Sequence, residues 1–413
     1  MSSSSSLSAD QRQALDTQAV NNFREYLQIP SVHPDVNYDD CVKFLEKQAK
    51  SLSLPFTVVY ITPKKPVVVL TWTGKEPSLP TILLNSHMDV VPVFEDKWTH
   101  KPFSAHVDEK GNIYARGAQD MKCVGIQYLE AIRRLKQQGV TLKRTIHVTF
   151  VPDEETGGVE GMQQFVNTNH FKDMNVGFSL DEGMASENNE YALFYAERSI
   201  CQMRFYCTGN PGHGSLLLKS TAGEKVAYIL SKIYEFRRQE EKKLIDNPSW
   251  TVGDVTTVNL TQLKGGVQEN VVPPEFVLTV DCRVAINVDL VKWEATLKGW
   301  CKEAGPGVRL EFIQKQDQIA PTKLDGSNRY WVAFKKAADE LGLALKPQVF
   351  PAATDSRYIR GLGLPAIGFS PMNNTPVLLH DHDEYLNKTT FLRGVDHYCA
   401  ILGKVANVEE MSG

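Results

Sequence analysis

Short runs rich in β-branched residues alternate with helical periodicity along the first part of this chain, give way to a different pattern, and then return. That interruption constrains the fold more than any other feature of the sequence. Before it, Gln11 to Leu27 and Tyr38 to Ser53 carry helical periodicity. Thr57 to Ile61, Pro66 to Thr71 and Thr81 to Asn85 predict strands. Met121 to Leu135 predicts a helix with Val124, Tyr128, Leu129, Ile132 and Leu135 on one face. A strand from Thr145 to Val151, a helix from Glu160 to Val166 and a strand from Val176 to Leu180 follow. Alternation at this spacing implies a sheet covered by helices.

The middle reads differently. Tyr191 to Cys207 predicts one long alternating strand, and a helix with Val226, Ile229, Leu230, Ile233 and Phe236 on one face comes next. Strands from Thr256 to Leu263 and Glu275 to Val284, a helix around Leu290, Trp293, Leu297 and Trp300, and a strand from Val308 to Gln314 complete a β-α-β-β-α-β order, the ferredoxin-like pattern. The α/β pattern then resumes, with a helix from Trp331 to Leu341, an extended run from Ala366 to Phe369 and a last helix through Leu392, Val395, Tyr398, Cys399 and Leu402. The expected fold is therefore α/β. A domain built on a helix-covered mixed sheet, residues 1–194 and 316–413, receives an inserted α+β domain, residues 195–315.

Composition narrows the class. A length of 413 residues suits two domains, and 42% apolar with 23% charged residues fits a globular protein. The net charge of -4 comes with no basic stripe, so nucleic acid is not an expected partner. The serine-rich start, Met1 to Ser8, lacks a basic segment followed by an apolar one and is not expected to be a signal peptide. No apolar run is long enough to predict a membrane span. Seven scattered cysteines, none in a CxxC pair, predict reduced thiols in a cytoplasmic protein. Any metal must then be held by histidines and carboxylates.

Those residues gather where predicted strands end. Ser86-His87-Met88-Asp89 follows one strand, and positions i and i+2 of an extended chain share a face, so Asp89 is expected to reach the His87 imidazole and fix its tautomer. Asp120 sits in the glycine-containing loop Ala115-Arg116-Gly117-Ala118-Gln119-Asp120, just before a helix. Pro152-Asp153-Glu154-Glu155-Thr156-Gly157-Gly158 ends another strand, and three consecutive acids there repel unless cations neutralise them. Leu180-Asp181-Glu182-Gly183 and Leu378-Leu379-His380-Asp381-His382-Asp383-Glu384 complete the set. Taken singly, these are a paired histidine, a helix cap and solvated acidic turns. Together they place two histidines and three carboxylates where open α/β sheets build their clefts, a donor set suited to a pair of zinc ions.

The blocks SHMDVVPV, YARGAQDMK, PDEETGG, LDEG, GNPGHGS and LLHDHDE, in this order along most of the chain, resemble the M20 family of metallopeptidases and within it the aminoacylases. The resemblance implies two Zn2+ per subunit. His87, Asp120 and Glu182 match the ligands of one, and Asp120, Glu155 and His380 those of the other, with Asp120 bridging. Glu182 rather than Asp181 matches the ligand position, and His380 fits the family spacing with His382 as its local competitor. Glu154 matches the general base, and Asp89 the residue that orients the first histidine. The family also implies that the smaller domain is a lid used for homodimerisation. His213, in Gly209-Asn210-Pro211-Gly212-His213-Gly214, matches a histidine that reaches the partner subunit's site and binds the developing oxyanion. Asn270, Arg283 and Arg357 lie at positions of substrate contact. The activity implied is hydrolysis of a small-molecule N-acyl-L-amino acid to a carboxylate and a free amino acid. A dipeptidase or carboxypeptidase with the same metals is the alternative, and a non-catalytic zinc-bound dimer is a remote one.

Overall fold

The first helix, Ala9–Leu27, begins where Ser8 and Gln11 cap each other: the Ser8 hydroxyl accepts from the Gln11 amide, and the Gln11 side chain accepts from the Ser8 amide. The computed structural model describes residues 7–409, so the serine-rich start, apart from Ser8 and the preceding Leu7, lies outside the described residues. The chain divides into two units. One comprises Met1–Tyr195, Thr322–Pro347 and Thr354–Gly413, and the other Ala196–Pro321 with Gln348–Ala353.

The first unit is built on an eight-stranded mixed sheet. Its order is Phe56–Thr62, Lys65–Trp72, Ile146–Val151, Thr81–His87, Val176–Asp181, Ala366–Phe369, Glu190–Glu197 and Ala344–Phe350. The four strands from Ile146–Val151 to Ala366–Phe369 run parallel, while Lys65–Trp72 and Glu190–Glu197 join them antiparallel on either side. Central parallel strands are covered on both faces, and all seven residues of Thr81–His87 are buried. Ala9–Leu27, Lys122–Gln137 and Lys388–Val405 pack on one another, with the rings of Phe23 and Phe391 stacked at 4.5 Å and those of Tyr128 and Tyr398 edge-on at 4.7 Å. Each such aromatic pair adds about 0.5–1.5 kcal/mol beyond its buried area.

The second unit has four antiparallel strands in the order Thr257–Gly265, Glu275–Val284, Ser199–Thr208 and Val308–Lys315. With the helices Ala222–Asp246 and Leu290–Glu303 they give the β-α-β-β-α-β order expected from the pattern. Burial alternates residue by residue along Ser199–Thr208, so one face of the sheet lies under the helices. Its core joins Met203 and Phe205 to Val226, Ile229 and Ile233 of one helix and Trp293, Leu297 and Trp300 of the other.

Two expectations are corrected. Tyr191 to Cys207 is not one strand but two, Glu190–Glu197 and Ser199–Thr208, which belong to different sheets. The break falls at Arg198, whose buried guanidinium donates to the carbonyls of Val255 at 3.2 Å and Pro351 at 3.0 Å and to Thr257 Oγ1 at 3.0 Å. Burial alternates along Ser199–Thr208 but not along Glu190–Glu197, which is buried almost throughout. The strand Ala344–Phe350, not foreseen, contains Pro347 and lies at the end of the sheet order. An edge is where a strand tolerates a residue without an amide hydrogen. Among the described residues no helix is long and apolar enough to cross a membrane.

Candidate metal centre

Five segments bring the cluster together, and four of them leave a strand or enter a helix. His87 ends the strand Thr81–His87 and is almost wholly buried. Its Nδ1 contacts the backbone carbonyl of Asp89 at 2.8 Å, while the Asp89 carboxylate stands 3.7 Å away. The expectation that this carboxylate holds the imidazole is therefore corrected: the main chain does so. The carboxylate is drawn elsewhere, accepting from the amides of Glu154 at 3.3 Å and Glu155 at 3.1 Å. With Nδ1 facing a carbonyl it carries a proton, which leaves Nε2 as the nitrogen turned toward the cluster.

Asp120 precedes the helix Lys122–Gln137. Its loop is fixed by Glu384, a fully buried residue for which the sequence reading found no role. Glu384 accepts from the amides of Gly117 at 3.1 Å, Gln119 at 2.6 Å and Asp120 at 3.2 Å, and from the Arg116 guanidinium at 2.7 Å. The one signal for it was its place in the LLHDHDE block, four residues after His380.

The acid run follows the strand Ile146–Val151. Asp153 adopts a left-handed backbone (φ 61°) and accepts from the Tyr38 hydroxyl at 2.5 Å, with the Lys65 ammonium 2.5 Å from its other oxygen. Glu154 and Glu155 then turn toward the cluster. After the strand Val176–Asp181, the Asp181 carboxylate is taken up by Asn85, Ser356 and the Glu182 amide. The Glu182 carboxylate lies 3.7 Å from His87 Nε2. In the last segment His380 (φ 62°) aims Nε2 at the cluster, whereas the His382 ring meets Phe94 edge-on.

The two oxygens of Asp120 face in different directions. Oδ1 is 3.0 Å from His87 Nε2, and Oδ2 is 3.2 Å from His380 Nε2, which is itself 3.1 Å from Glu155 Oε2. Donor atoms of His87, Asp120 and Glu182 lie within 4.8 Å of one another, and so do those of Asp120, Glu155 and His380. Two three-donor groups thus share one carboxylate.

The electrostatics are those of an acid cluster short of positive charge. Burial, then the charge of Glu182, pushes the Glu154 carboxyl well above its ordinary range. Burial, then Asp120, lifts Glu155 to about 7 and Glu182 well above the usual carboxylate range. Burial works against charge on His87, but Glu182 and Asp120 outweigh it and hold the imidazole high. Hydrogen bonds to Asp120 and Glu155 raise His380 to about 10. Glu155 Oε1 is buried and meets no hydrogen-bond donor among the described residues. Nitrogen and oxygen donors alone, carboxylates crowded against one another and an oxygen without a donor fit divalent cations.

The remaining predicted residues are placed as follows. In the second unit, Gly212–His213 pairs with Val271–Val272, and the Gly214 amide donates to the Asn270 carbonyl at 2.7 Å, so His213 and Asn270 are neighbours on an exposed ribbon. The Ser215 amide donates to His213 Nδ1 at 3.2 Å. Arg283 is paired within its own strand to Asp281 at 2.9 Å. In the first unit, Arg357 is buried on the helix Ser356–Gly361 and makes no ion pair among the described residues.

Residues 83–404 match the profile of Peptidase family M20/M25/M40. The chain is 50% identical over 395 residues to aminoacylase-1 of Mus musculus, covering 96% of this chain and 97% of that protein. It is 51% identical over 392 residues to aminoacylase-1 of Homo sapiens, covering 94% and 96%. Among solved structures, an M20 family metallo-carboxypeptidase from Sulfolobus solfataricus shares the fold with a TM-score of 0.72 at 18% identity, covering 94% of this chain and 99% of that one. With its acid-and-histidine cluster and these relatives over nearly its whole length, the chain belongs to the M20 family and is a metal-dependent amidohydrolase.

Proposed function

We propose that this chain hydrolyses N-acyl-L-amino acids to a carboxylate and a free L-amino acid, using two zinc ions. One is held by His87, Asp120 and Glu182, and the other by Asp120, Glu155 and His380. The observation that carries this reading is the division of Asp120, one oxygen toward each histidine. The half-identity to aminoacylases over nearly the full chain supports the substrate class.

Bound there, the cations would supply Lewis acidity toward water and toward the acyl carbonyl. Glu154 stands beside them with a carboxyl driven toward proton uptake by burial and by Glu182. It takes a proton as water attacks the acyl carbon and delivers it to the amide nitrogen as the C–N bond breaks. An upward shift makes the Glu154 carboxylate a stronger base than a solvated one. Because the Ser215 amide can only donate, His213 Nδ1 is an acceptor and Nε2 carries the proton, outward and exposed. That N–H is the donor we assign to the oxyanion of a partner subunit. The partner, a second copy of this chain, would cover Leu216, Leu217 and Val267, exposed apolar residues close in sequence to the His213–Asn270 ribbon. Arg357, buried without an ion pair, is the better of the two arginines to bind the substrate carboxylate, since Arg283 is engaged by Asp281. Asn270 would add a polar contact. We place the protein in the cytoplasm, a reading supported by seven unpaired cysteines, six of them buried.

The test is to strip the protein with a chelator, restore zinc, and compare N-acetyl-L-methionine with a panel of dipeptides. Zinc-dependent release of methionine from the acyl substrate is expected. Turnover of the dipeptides alone would make the chain a dipeptidase instead.

A further inference from the structure

The acid run is held by a segment with no metal-binding residue of its own. Residues 31–38 lie between the helices Ala9–Leu27 and Asp39–Leu52, and Val32 pairs with Val90 in an isolated parallel bridge. Ser31 Oγ donates to the Met88 carbonyl at 2.5 Å, the Val90 amide to the Ser31 carbonyl at 2.9 Å, and the His33 amide to the Val90 carbonyl at 3.1 Å. These bonds fix the His33 backbone against Asp89. The imidazole Nε2 then meets Asp89 Oδ2 at 2.8 Å. Asp89 has no exposed surface, and the remaining hydrogen bonds of its carboxylate come from the amides of Glu154 and Glu155. Five residues after His33, Tyr38 takes hold of Asp153. One segment therefore grips the run Asp153-Glu154-Glu155 at both ends, directly through Tyr38 and through Asp89 from His33.

Donor atoms of His33, Asp89 and Asp153 also lie within 4.8 Å of one another. A third cation has no place there. Lys65 already puts an ammonium on Asp153, and the His33 imidazole engages Asp89.

We propose that His33 is a positioning residue for the hydrolysis: its Nε2–H fixes the Asp89 carboxylate that holds the Glu154 and Glu155 amides, and so sets where the Glu154 carboxylate stands. Without that donor, a buried carboxylate loses one of three hydrogen bonds and swings toward His87, whose Nδ1 is 3.7 Å away. The loop it anchors then loosens. The inference rests on the role proposed for Glu154, so its test carries a readout that does not need activity.

The experiment compares His33→Met, which keeps bulk but has no donor, with His33→Gln, which keeps a donor. In zinc-loaded protein the Met variant is expected to lose about 10- to 100-fold in kcat with KM unchanged, as for a misplaced catalytic group, and the Gln variant to recover most of it. In metal-free protein, hydrogen–deuterium exchange of the peptide from Pro152 to Gly158 is expected to speed up in the Met variant and not in the Gln variant, with the helix Lys122–Gln137 unchanged. Should the Met variant fail to fold, His33→Ala takes its place. Wild-type exchange in the acid run of the Met variant overturns the proposal. So does equal damage in both variants, which would mean a general packing role. If no amide substrate is turned over, the functional reading falls, while the exchange result still decides whether His33 holds the loop.

Discussion

The two units place their proposed functional residues in opposite surroundings. In the first, His87, Asp89, Asp120, Asp181, Glu182, Asp355 and Glu384 are all buried, and the carboxylates of Asp89, Asp181 and Glu384 are held by amides, a hydroxyl, a guanidinium or an imidazole. In the second, the core is apolar, and the residues with a proposed role, His213 and Asn270, stand on an exposed ribbon. Buried charge is tied to the fold, because removing one partner strands the other in a medium that cannot solvate it. Exposed charge is not. Function and stability should therefore be coupled in the first unit and separable in the second.

Four experiments bear on that contrast. The largest effect is expected for Glu154→Ala, a loss of about 10²–10⁴ in kcat with zinc content unchanged by elemental analysis. A near-normal rate would remove Glu154 as the base. Glu384→Ala should strand Arg116 and three amides and cost about 3–5 kcal/mol in urea unfolding. A loss below 1 kcal/mol would show that the buried anchor matters little and would blunt the comparison. His213→Ala should lower kcat by about 10²–10³ while leaving the melting temperature in place. Mixed with Glu154→Ala, it should regain part of its activity through hybrid dimers. If subunits exchange and nothing returns, the site is not shared. The smallest effect concerns His147, which burial, with a smaller push from His170, holds down at about 4. Between pH 6.5 and 4 the unfolded chain takes up a proton that the folded chain refuses, so stability is full above pH 6.5 and falls as the pH drops. His147→Gln should flatten that slope in urea midpoints measured across the window, and an unchanged slope would assign it to other groups.

Much of the first unit was legible in the sequence. Three of its strands, Thr81–His87, Ile146–Val151 and Val176–Asp181, are short apolar runs that end on or within two residues of a histidine or an acid, so element and cluster member are read from the same few residues. The inserted unit was legible because its helices and strands keep different periods. What stayed hidden are contacts to the main chain. Glu384 binds amides about 265 residues away in sequence, and Asp89 binds amides 65 and 66 residues away. A backbone amide carries no residue type, so no pattern marks it as a partner. The break at Arg198 was hidden for a related reason: the chain is extended and rich in apolar residues on both sides, and what changes is the hydrogen-bonding neighbours.

The order of the central strands sets a gauge. The loops bearing the acid run, His87 and Glu182 leave three consecutive neighbours, Ile146–Val151, Thr81–His87 and Val176–Asp181. Neighbouring strands stand about 4.8 Å apart, a pitch fixed by backbone hydrogen bonding and indifferent to side-chain identity. The span across which the proposed ligands reach is thus inherited from the lattice of the sheet. An ion of another radius would have to be met by side-chain torsions and by the segments bearing Asp120 and His380, since widening the gauge would mean unzipping the sheet.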